Sequence, residues 1–246
     1  MEYKVNINGI DVEATYSQDN IDSIFKPLLE RLCSIRKEKD RRILVMLAAP
    51  PGAGKSTLVS FLESLAKELQ MPYKFQAIGM DGFHRRQEYL LSHTIVVDGN
   101  EMKMVDVKGC PETFDLDKLK EQIQRVMSCK PHTTWPTYDR HLHNPVEDAL
   151  SIDGDILLLE GNYLLLDEPG WDSLSGMADY TISIKADPDM LKERLVDRKE
   201  KSGNSRNKAE QFVEFSDMRN VRRCLKHTKP ADLELTLLTD DSYKLM

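Results

Sequence analysis

The stretch ILVMLAAPPGAGKST, from Ile43 to Thr57, decides the fold of this chain. Its first six residues are apolar and typical of a buried strand, and a helical pattern begins at Lys55. Between them, from Ala49 onward, the spacing is that of a P-loop, with Ala49 in place of the usual first glycine. Glycines let backbone N–H groups curl around phosphate oxygens, and a helix N-terminus adds positive potential. The sequence therefore predicts a phosphate-binding loop between a strand and a helix.

The chemistry of this loop predicts ATP and Mg²⁺ as cofactors. Lys55 can reach the outer phosphates of a nucleotide, and the hydroxyl of Ser56 can bind Mg²⁺. The alternative is a chance glycine-rich turn before a helix, and the strand, turn and helix context argues against it. The loop residues predicted to bind the nucleotide are Pro51, Gly52, Ala53, Gly54, Lys55, Ser56 and Thr57.

Apolar runs and helical patterns alternate along the chain after this loop. Continuous apolar strands that alternate with helices indicate a mostly parallel sheet covered on both faces. We therefore predict the α/β class and a three-layer P-loop NTPase fold. The predicted strands are 43–48, 73–79, 156–159 and 180–184, and the predicted helices are 55–69, 116–127 and one that begins at Pro188.

We predict that the whole chain forms one domain with three additions to this alternation. Residues 1–40 give a β-hairpin, with Asn8–Gly9 at its turn, followed by a helix. Residues 93–106 give a second hairpin, which turns at Asp98–Gly99. Residues 197–210 are polar and basic with few apolar anchors, which indicates a mobile segment.

The composition excludes several classes of protein. With 246 residues, 40% hydrophobic and 30% charged, the chain is not disordered, collagen-like or membrane-embedded. Its net charge of −7 argues against a nucleic-acid partner, because such a surface needs an excess of basic residues. Four scattered cysteines without a C-x-x-C pair argue against a disulfide scaffold or a zinc site. With no signal-peptide pattern and no apolar run near about 18 residues, we expect a cytoplasmic protein without a membrane partner.

Two carboxylates follow predicted strands. Glu160 comes directly after the strand 156–159, and Asp81 comes just after the strand 73–79. Because open parallel sheets bind ligands at the carboxyl ends of their strands, both can reach a ligand beside the P-loop, and Glu160 is the candidate to hold the metal. Asp81 can also accept the proton of a hydroxyl that attacks a phosphate. The alternatives are an ordinary charged residue leaving a buried strand for Glu160 and a common Asp–Gly turn for Asp81.

Several motifs occur together in one order along the chain. They are the P-loop, 80–84 (MDGFH), 108–115 (KGCPETFD), 136–143 (PTYDRHLH) and 159–163 (LEGNY). Together they resemble the phosphoribulokinase and uridine kinase family of P-loop kinases, which includes bacterial pantothenate kinase. The likeness is greatest to the bacterial YggC-type members, often labelled kinases of fructose uptake or nucleoside kinases. It covers nearly the whole chain.

The resemblance implies roles for individual residues. Asp81 matches the catalytic base, which also lies near the metal, and Ser56 and Glu160 match metal-binding positions. The residues matched to substrate positions are Phe83, His84, Phe114, Asp115, Tyr138, Arg140, His143 and Arg194.

These substrate positions have structural alternatives. Asp115 precedes an apolar helical run and would serve equally well as an N-cap. Phe114 and Tyr138 would serve as core aromatic residues. His84 and His143 would serve as satisfied surface histidines.

The basic stretch resembles the lid that closes over the phosphates in this family. Arg194 and Arg198 are four residues apart and share one helix face, which suits them to neutralise charge on the transferring phosphoryl group. We assign them, with Lys55 and Asp81, to catalysis, and Arg198 and Arg206 also to nucleotide binding. A solvated charged face is the alternative. Uridine kinases carry a more closely spaced arginine cluster, so which arginine meets ATP and which meets the substrate stays open.

The predicted function is a kinase that transfers the γ-phosphate of ATP to a hydroxyl of a sugar, nucleoside or pantothenate-like acceptor. The chain departs from the uridine kinase pattern at positions such as His84, where those enzymes have a tyrosine. These departures leave the identity of the acceptor open and argue against a uridine kinase. One alternative is a nucleotide-binding regulatory protein without turnover. Another is a GTPase, for which 167–170 (DEPG) and 207–210 (NKAE) are weak matches. The sequence leaves the oligomeric state open between a monomer and a homodimer, and the resemblance favours the homodimer because family members often pair.

Overall fold

A six-stranded sheet forms the centre of this computed structural model, which describes residues 1–7, 10–97 and 99–246. In spatial order the strands are Tyr243–Leu245 (β12), Leu233–Leu237 (β11), Tyr180–Ala186 (β10), Ile43–Ala48 (β3), Ile156–Gly161 (β9) and Phe75–Gly79 (β4). β12 runs antiparallel to β11, and all other neighbours are parallel. The predicted α/β class with a mostly parallel sheet is confirmed.

Helices cover both faces of the sheet. They are Gln18–Asn20 (α1), Lys26–Lys39 (α2), Lys55–Glu68 (α3), Gln87–Ser92 (α4), Leu116–Met127 (α5), Pro188–Lys201 (α6), Arg206–Phe212 (α7) and Met218–His227 (α8). Val45 and Leu47 of β3 pack with α2, α3 and α6, whereas Leu44 and Met46 pack on the opposite face with α5. Because β3 is buried on both faces, every position in it is apolar. The predicted three layers are present.

The register of the central strands brings three chain segments to one edge of the sheet. Leu47 of β3 pairs with Glu160 of β9, and Glu160 also lies opposite Gly79 of β4. The P-loop follows β3, and Asp81 follows β4 by two residues. Because the three strands are parallel, their carboxyl ends meet, as ligand sites of such sheets require.

Two predicted hairpins are present. Glu2–Ile7 (β1) pairs antiparallel with Ile10–Thr15 (β2), and Thr94–Val97 (β5) pairs with Asn100–Lys103 (β6). The turn residues predicted for the first, Asn8–Gly9, and Asp98 of the second lie outside the described residues.

A further hairpin was not predicted. It joins Thr134–Asp139 (β7) to Asn144–Ser151 (β8). The register shifts between Trp135 and Thr137, and Pro136 stands between them. Such an irregularity breaks the apolar–polar alternation by which a strand is recognised in sequence.

The segment predicted as a lid has helical structure. α6 continues to Lys201, and after a short turn α7 begins at Arg206. Ala209 of α7 is buried against the core, which gives this segment an apolar anchor. In the described part of the chain, no helix combines the length and the apolarity needed to cross a membrane.

Candidate active site

The predicted phosphate-binding loop has the conformation that its glycines allow. Gly52 and Gly54 have φ angles of 85° and 73°, a left-handed conformation that other residues rarely adopt. A Cβ atom at Gly52 would also lie 3.2 Å from the Leu195 side chain of α6. α3 begins at Lys55, so its free N–H groups face the space that the loop encloses.

Ser56 and Glu160 form the link between the P-loop and β9. Ser56 Oγ donates a hydrogen bond of 2.7 Å to Glu160 Oε1, and Lys55 Nζ lies 4.0 Å from Glu160 Oε2. The pKa of Glu160 is raised, chiefly by burial. The positive charge of Lys55 opposes this rise, and the negative charge of Asp81 adds to it. A cation beside the phosphates would stabilise this buried carboxylate.

This arrangement fits Mg²⁺. Mg²⁺ is usually held by one or two carboxylates together with nucleotide phosphates and waters. Ser56 and Glu160 offer a hydroxyl and a carboxylate directly beside the loop. Among the described residues, no group of three or more His, Cys, Asp or Glu side chains could hold a metal by itself.

Asp81 lies in a tight helical turn, Met80–Phe83, that begins at the end of β4. The turn packs directly on β7, because a Cβ atom at Gly82 would come within 2.3 Å of the Pro136 carbonyl oxygen. Asp81, Ser56, Glu160 and Tyr138 line a cavity of about 340 Å³, which we name the Asp81 cavity. The structure thus brings the predicted base to the predicted metal site.

Three arginines lie across from the P-loop. A pocket of about 210 Å³, the P-loop pocket, is lined by the loop residues and by Arg140, Arg194 and Arg198. Arg140 was predicted at the substrate, whereas here it lies at the phosphate-binding loop. Arg194 also forms an ion pair with Asp241.

Arg206, predicted at the nucleotide, does not line this pocket. Its guanidinium contacts four carboxylates at 2.6–3.2 Å, those of Glu193, Asp197, Glu200 and Glu210. These contacts fix the start of α7 to α6. In this structure Arg206 therefore connects the two helices α6 and α7. The sequence could not show this, because the carboxylates that bind Arg206 instead of a nucleotide lie on two helices that only folding brings together.

His84, Phe114 and Tyr138 form an aromatic cluster beside Asp81. The ring of His84 stacks on Phe114 at 3.9 Å and meets the edge of Tyr138 at 5.2 Å. Burial lowers the pKa of His84 to about 4, so it is neutral near pH 7. Burial and the charge of Asp81 raise the pKa of Tyr138 to about 12. Lys108 Nζ lies 5.1 Å from the centre of the Tyr138 ring.

Other predicted substrate residues have structural roles. Phe83 is buried and packs edge-on against Trp135, so its side chain belongs to the core. Phe114 is buried as well, with Tyr163 and Trp171 at its edges, and only the contact with His84 ties it to the site.

The predictions for Asp115 and His143 differ in outcome. Asp115 is the N-cap of α5, accepting a bond from the Lys118 N–H, while its second oxygen lies 3.4 Å from Arg85. Both roles considered for it are therefore compatible with the geometry. His143 is exposed in the β7–β8 turn, with a φ of 51°, and does not line the Asp81 cavity.

Several buried polar groups near these residues lack partners among the described residues, and sequence reasoning named only Arg140 among them as a site residue. In the described part of the chain, the side-chain atoms Arg140 Nε, Asn162 Oδ1, Asp217 Oδ2 and Asn220 Oδ1 are buried without a hydrogen-bond partner. Buried polar atoms normally have partners, so unpaired ones mark places for a ligand or water. Asn162 stands in the 159–163 motif, but Asp217 and Asn220 follow the lid and have no local signal.

Asn220 lines a separate cavity of about 210 Å³ with Val96 and Val97 of the inserted hairpin. This α8 cavity is next to Gly109, whose added Cβ would lie 3.7 Å from Asn220 Nδ2. The inserted hairpin therefore lines a cavity beside the 108–115 motif.

Comparison with known proteins assigns this arrangement to a family. The model of the Phosphoribulokinase / Uridine kinase family matches residues 44–240, which include the P-loop, Asp81 and Glu160. The chain belongs to this family. It is accordingly a kinase of the P-loop fold, as its motifs predicted.

Individual relatives agree with this assignment. The chain is 38% identical to the Escherichia coli (strain K12) protein YggC, over 99% of this chain and 98% of that one. It is 28% identical to the putative uridine kinase C227.14 of Schizosaccharomyces pombe, over 88% and 92%. The crystal structure of a putative fructose transport system kinase from Silicibacter sp. TM1040 has a TM-score of 0.71 and 29% identity, covering 84% of this chain and 98% of that one. The predicted likeness to YggC-type proteins is confirmed.

Proposed function

We propose that the protein transfers the γ-phosphate of ATP to a hydroxyl of a small acceptor, a sugar, a nucleoside or a pantothenate-like compound. The observation that carries this proposal is the shared cavity of Asp81, Ser56 and Glu160 beside the P-loop. A candidate base and candidate metal-binding groups next to a phosphate cradle are the parts that phosphoryl transfer needs.

The reaction follows from the placement of these groups. The acceptor oxygen forms a bond to the γ-phosphorus, the bond from that phosphorus to the β–γ bridging oxygen breaks, and ADP leaves. Asp81 orients the hydroxyl and takes its proton. Lys55, Arg194 and Arg198 neutralise charge that develops on the phosphoryl oxygens, and no covalent enzyme intermediate forms. Ser56 and Glu160, with Asp81 nearby, would hold Mg²⁺, which would supply further neutralisation of the phosphate charge.

The groups around Asp81 support one class of acceptor. Tyr138 lines the Asp81 cavity, and the stacked rings of His84 and Phe114 lie beside Tyr138 as an apolar cluster. Arg140, whose charge acts on both His84 and Tyr138, provides at Nε a hydrogen-bond donor without a partner in the described chain. A compact compound with several hydroxyls matches this mixture of aromatic and polar groups. The likeness to a putative uridine kinase and to a putative fructose transport system kinase supports the same class.

The GTPase alternative gains no support from the geometry. Its guanine-reading motif should follow a buried strand. In this chain residues 207–210 lie in α7, which follows α6 and a short turn and not a buried strand. A regulatory protein without turnover stays as the competing proposal, because it would keep the same pocket.

The test is ATP consumption by the purified protein with Mg²⁺ across sugars, nucleosides and pantothenate, with Asp81→Ala measured in parallel. We expect one acceptor to stimulate turnover and Asp81→Ala to lose it while binding ATP like the wild type. If the protein binds ATP, no acceptor stimulates ATP turnover, and Asp81→Ala consumes ATP at the same rate as the wild type, the result would favour the regulatory protein. Stronger binding of GTP than of ATP would contradict the proposal.

A further inference from the structure

The N-terminal hairpin reaches the phosphate-binding site although it precedes the residues that match the family, 44–240. Ile7, at the end of β1, and Val12, in β2, line the P-loop pocket together with Gly54 and Lys55. Two apolar side chains thus line the pocket in which the phosphates of a nucleotide would bind.

The hairpin is anchored on the helix that starts at the P-loop. Tyr3 of β1 hydrogen-bonds Ser60 of α3 at 2.9 Å, and its ring meets the edge of Phe61 at 5.4 Å. Tyr16, just after β2, stacks on the same Phe61 at 4.0 Å and is buried. Because these contacts are to α3, they fix the position of the hairpin relative to Lys55 and Ser56.

Ile7 occupies the junction of the two cavities. It lines the P-loop pocket and also the Asp81 cavity, as Ser56 does. If ATP binds in the first and the acceptor in the second, the γ-phosphate crosses this junction during transfer. A side chain at the junction therefore decides which oxygen, that of the acceptor or that of water, can approach the γ-phosphorus.

We propose that Ile7 and Val12 form an apolar wall that keeps water away from the γ-phosphate, so that phosphate is transferred to the acceptor and not to water. The inference rests on the proposed kinase function. In the competing reaction a water oxygen forms the bond to the γ-phosphorus, ADP leaves, and inorganic phosphate is released. The hydrocarbon side chains of Ile7 and Val12 offer water no hydrogen bond, and closing a site with such surfaces prevents hydrolysis of the reactive group. Ile7 and Val12 are positioning residues in this scheme, because neither can donate or accept a proton.

The test compares variants of one strand. Val5 lies on the same face of β1 as Ile7, is half-buried like Ile7, and lines neither cavity. Ile7→Ala is compared with Val5→Ala, with Ile7→Leu as the variant that keeps the apolar bulk. Release of inorganic phosphate from MgATP is measured without acceptor, ATP affinity is measured by calorimetry, and thermal unfolding reports on folding.

We expect Ile7→Ala to raise acceptor-independent hydrolysis about tenfold, a change of about 1.4 kcal/mol in the barrier. Val5→Ala and Ile7→Leu should hydrolyse ATP like the wild type. Val12→Ala provides a second route to the same result if Ile7→Ala unfolds. If Ile7→Ala and Val12→Ala fold and bind ATP but hydrolyse it no faster than the wild type, the proposed role of the hairpin is overturned. The proposed kinase function would not be affected by that result. A wild-type protein that does not bind MgATP overturns the proposed function, and the hairpin role with it.

Discussion

Ser56 Oγ and Glu160 Oε1 are joined by a hydrogen bond of 2.7 Å, although 104 residues separate them in the chain. The bond spans from the first turn of α3 to the end of β9, and it exists because β3 and β9 are parallel neighbours in register. The hydroxyl that the P-loop offers to a metal is thus held in place by the carboxylate that shares the site.

Removing the charge of Glu160 tests this link. Glu160→Gln keeps the shape and a carbonyl oxygen for Ser56 but loses the negative charge. We expect the apparent affinity for Mg²⁺ to fall by about 10- to 100-fold, as for changes in groups that support a metal site. Activity is measured against free Mg²⁺ concentration. Glu234→Gln, which removes a carboxylate paired with Lys185 elsewhere in the sheet, should leave the Mg²⁺ dependence unchanged. An identical Mg²⁺ requirement in both variants would remove Glu160 from the metal site.

The two lid arginines are expected to differ. Arg198 lines the P-loop pocket, whereas Arg206 is held by carboxylates of α6 and α7. Arg198→Ala should lower kcat by about 10²-fold or more, because preorganised charge at a transferring phosphoryl group makes a large contribution to the rate. Arg206→Ala should leave the KM for ATP within about twofold, since surface ion pairs contribute little. Steady-state kinetics of both variants decide the point, and a larger loss in Arg206→Ala would show that Arg206 reaches the nucleotide during turnover.

Gly82 should be intolerant of a side chain. A Cβ atom there would lie 2.3 Å from the Pro136 carbonyl oxygen, so the turn that carries Asp81 would have to move away from β7. We expect Gly82→Ala to destabilise the protein by about 1–3 kcal/mol, the usual effect of overpacking, and to lower kcat. Denaturant unfolding and kinetics measure the two effects. Gly176→Ala is the matched control, because a Cβ atom there meets nothing within 4 Å. Equal stability of the two variants would mean that β7 lies farther from the turn.

His84 should make stability depend on pH. Its pKa is about 4 in the folded protein, and its ordinary value is 6.5. Between these values the unfolded chain binds the extra proton and the folded protein does not, so stability falls as the pH falls from 6.5 to 4. At about 1.36 kcal/mol for each pH unit, the loss amounts to about 3 kcal/mol at most. His84→Gln should show a shallower decrease in the free energy of unfolding over this range. Parallel curves for the two proteins would contradict the burial of this imidazole.

The local features of the fold could be predicted from the sequence. The P-loop, β3 and α3 depend on residues that are consecutive in the chain, and glycine conformation and apolar runs act within that span. The hairpin of β7 and β8 could not be predicted, because a bulge interrupts its alternation.

Sequence motifs also indicated the candidate site, but not which member of each motif faces it. His84 and Phe83 are adjacent, yet Phe83 enters the core beside Trp135 while His84 lies beside Tyr138. A motif gives the order of residues and not the rotation of the turn that carries them. That rotation depends on the contact of Gly82 with β7.

The sequence by itself determined the phosphate-binding loop, the alternation of strands and helices, and the carboxylates at or just after the strand ends, because each depends on a short continuous segment. Only the tertiary structure decided which arginine faces the loop, that Ile7 of the N-terminal hairpin borders it, and that Asn220 lies beside Gly109. The physical reason is that the contacts of a charged or apolar side chain depend on all residues that pack around it, including residues far away in the sequence. For Arg206 the four carboxylates of α6 and α7 are those partners, and only folding brings them together.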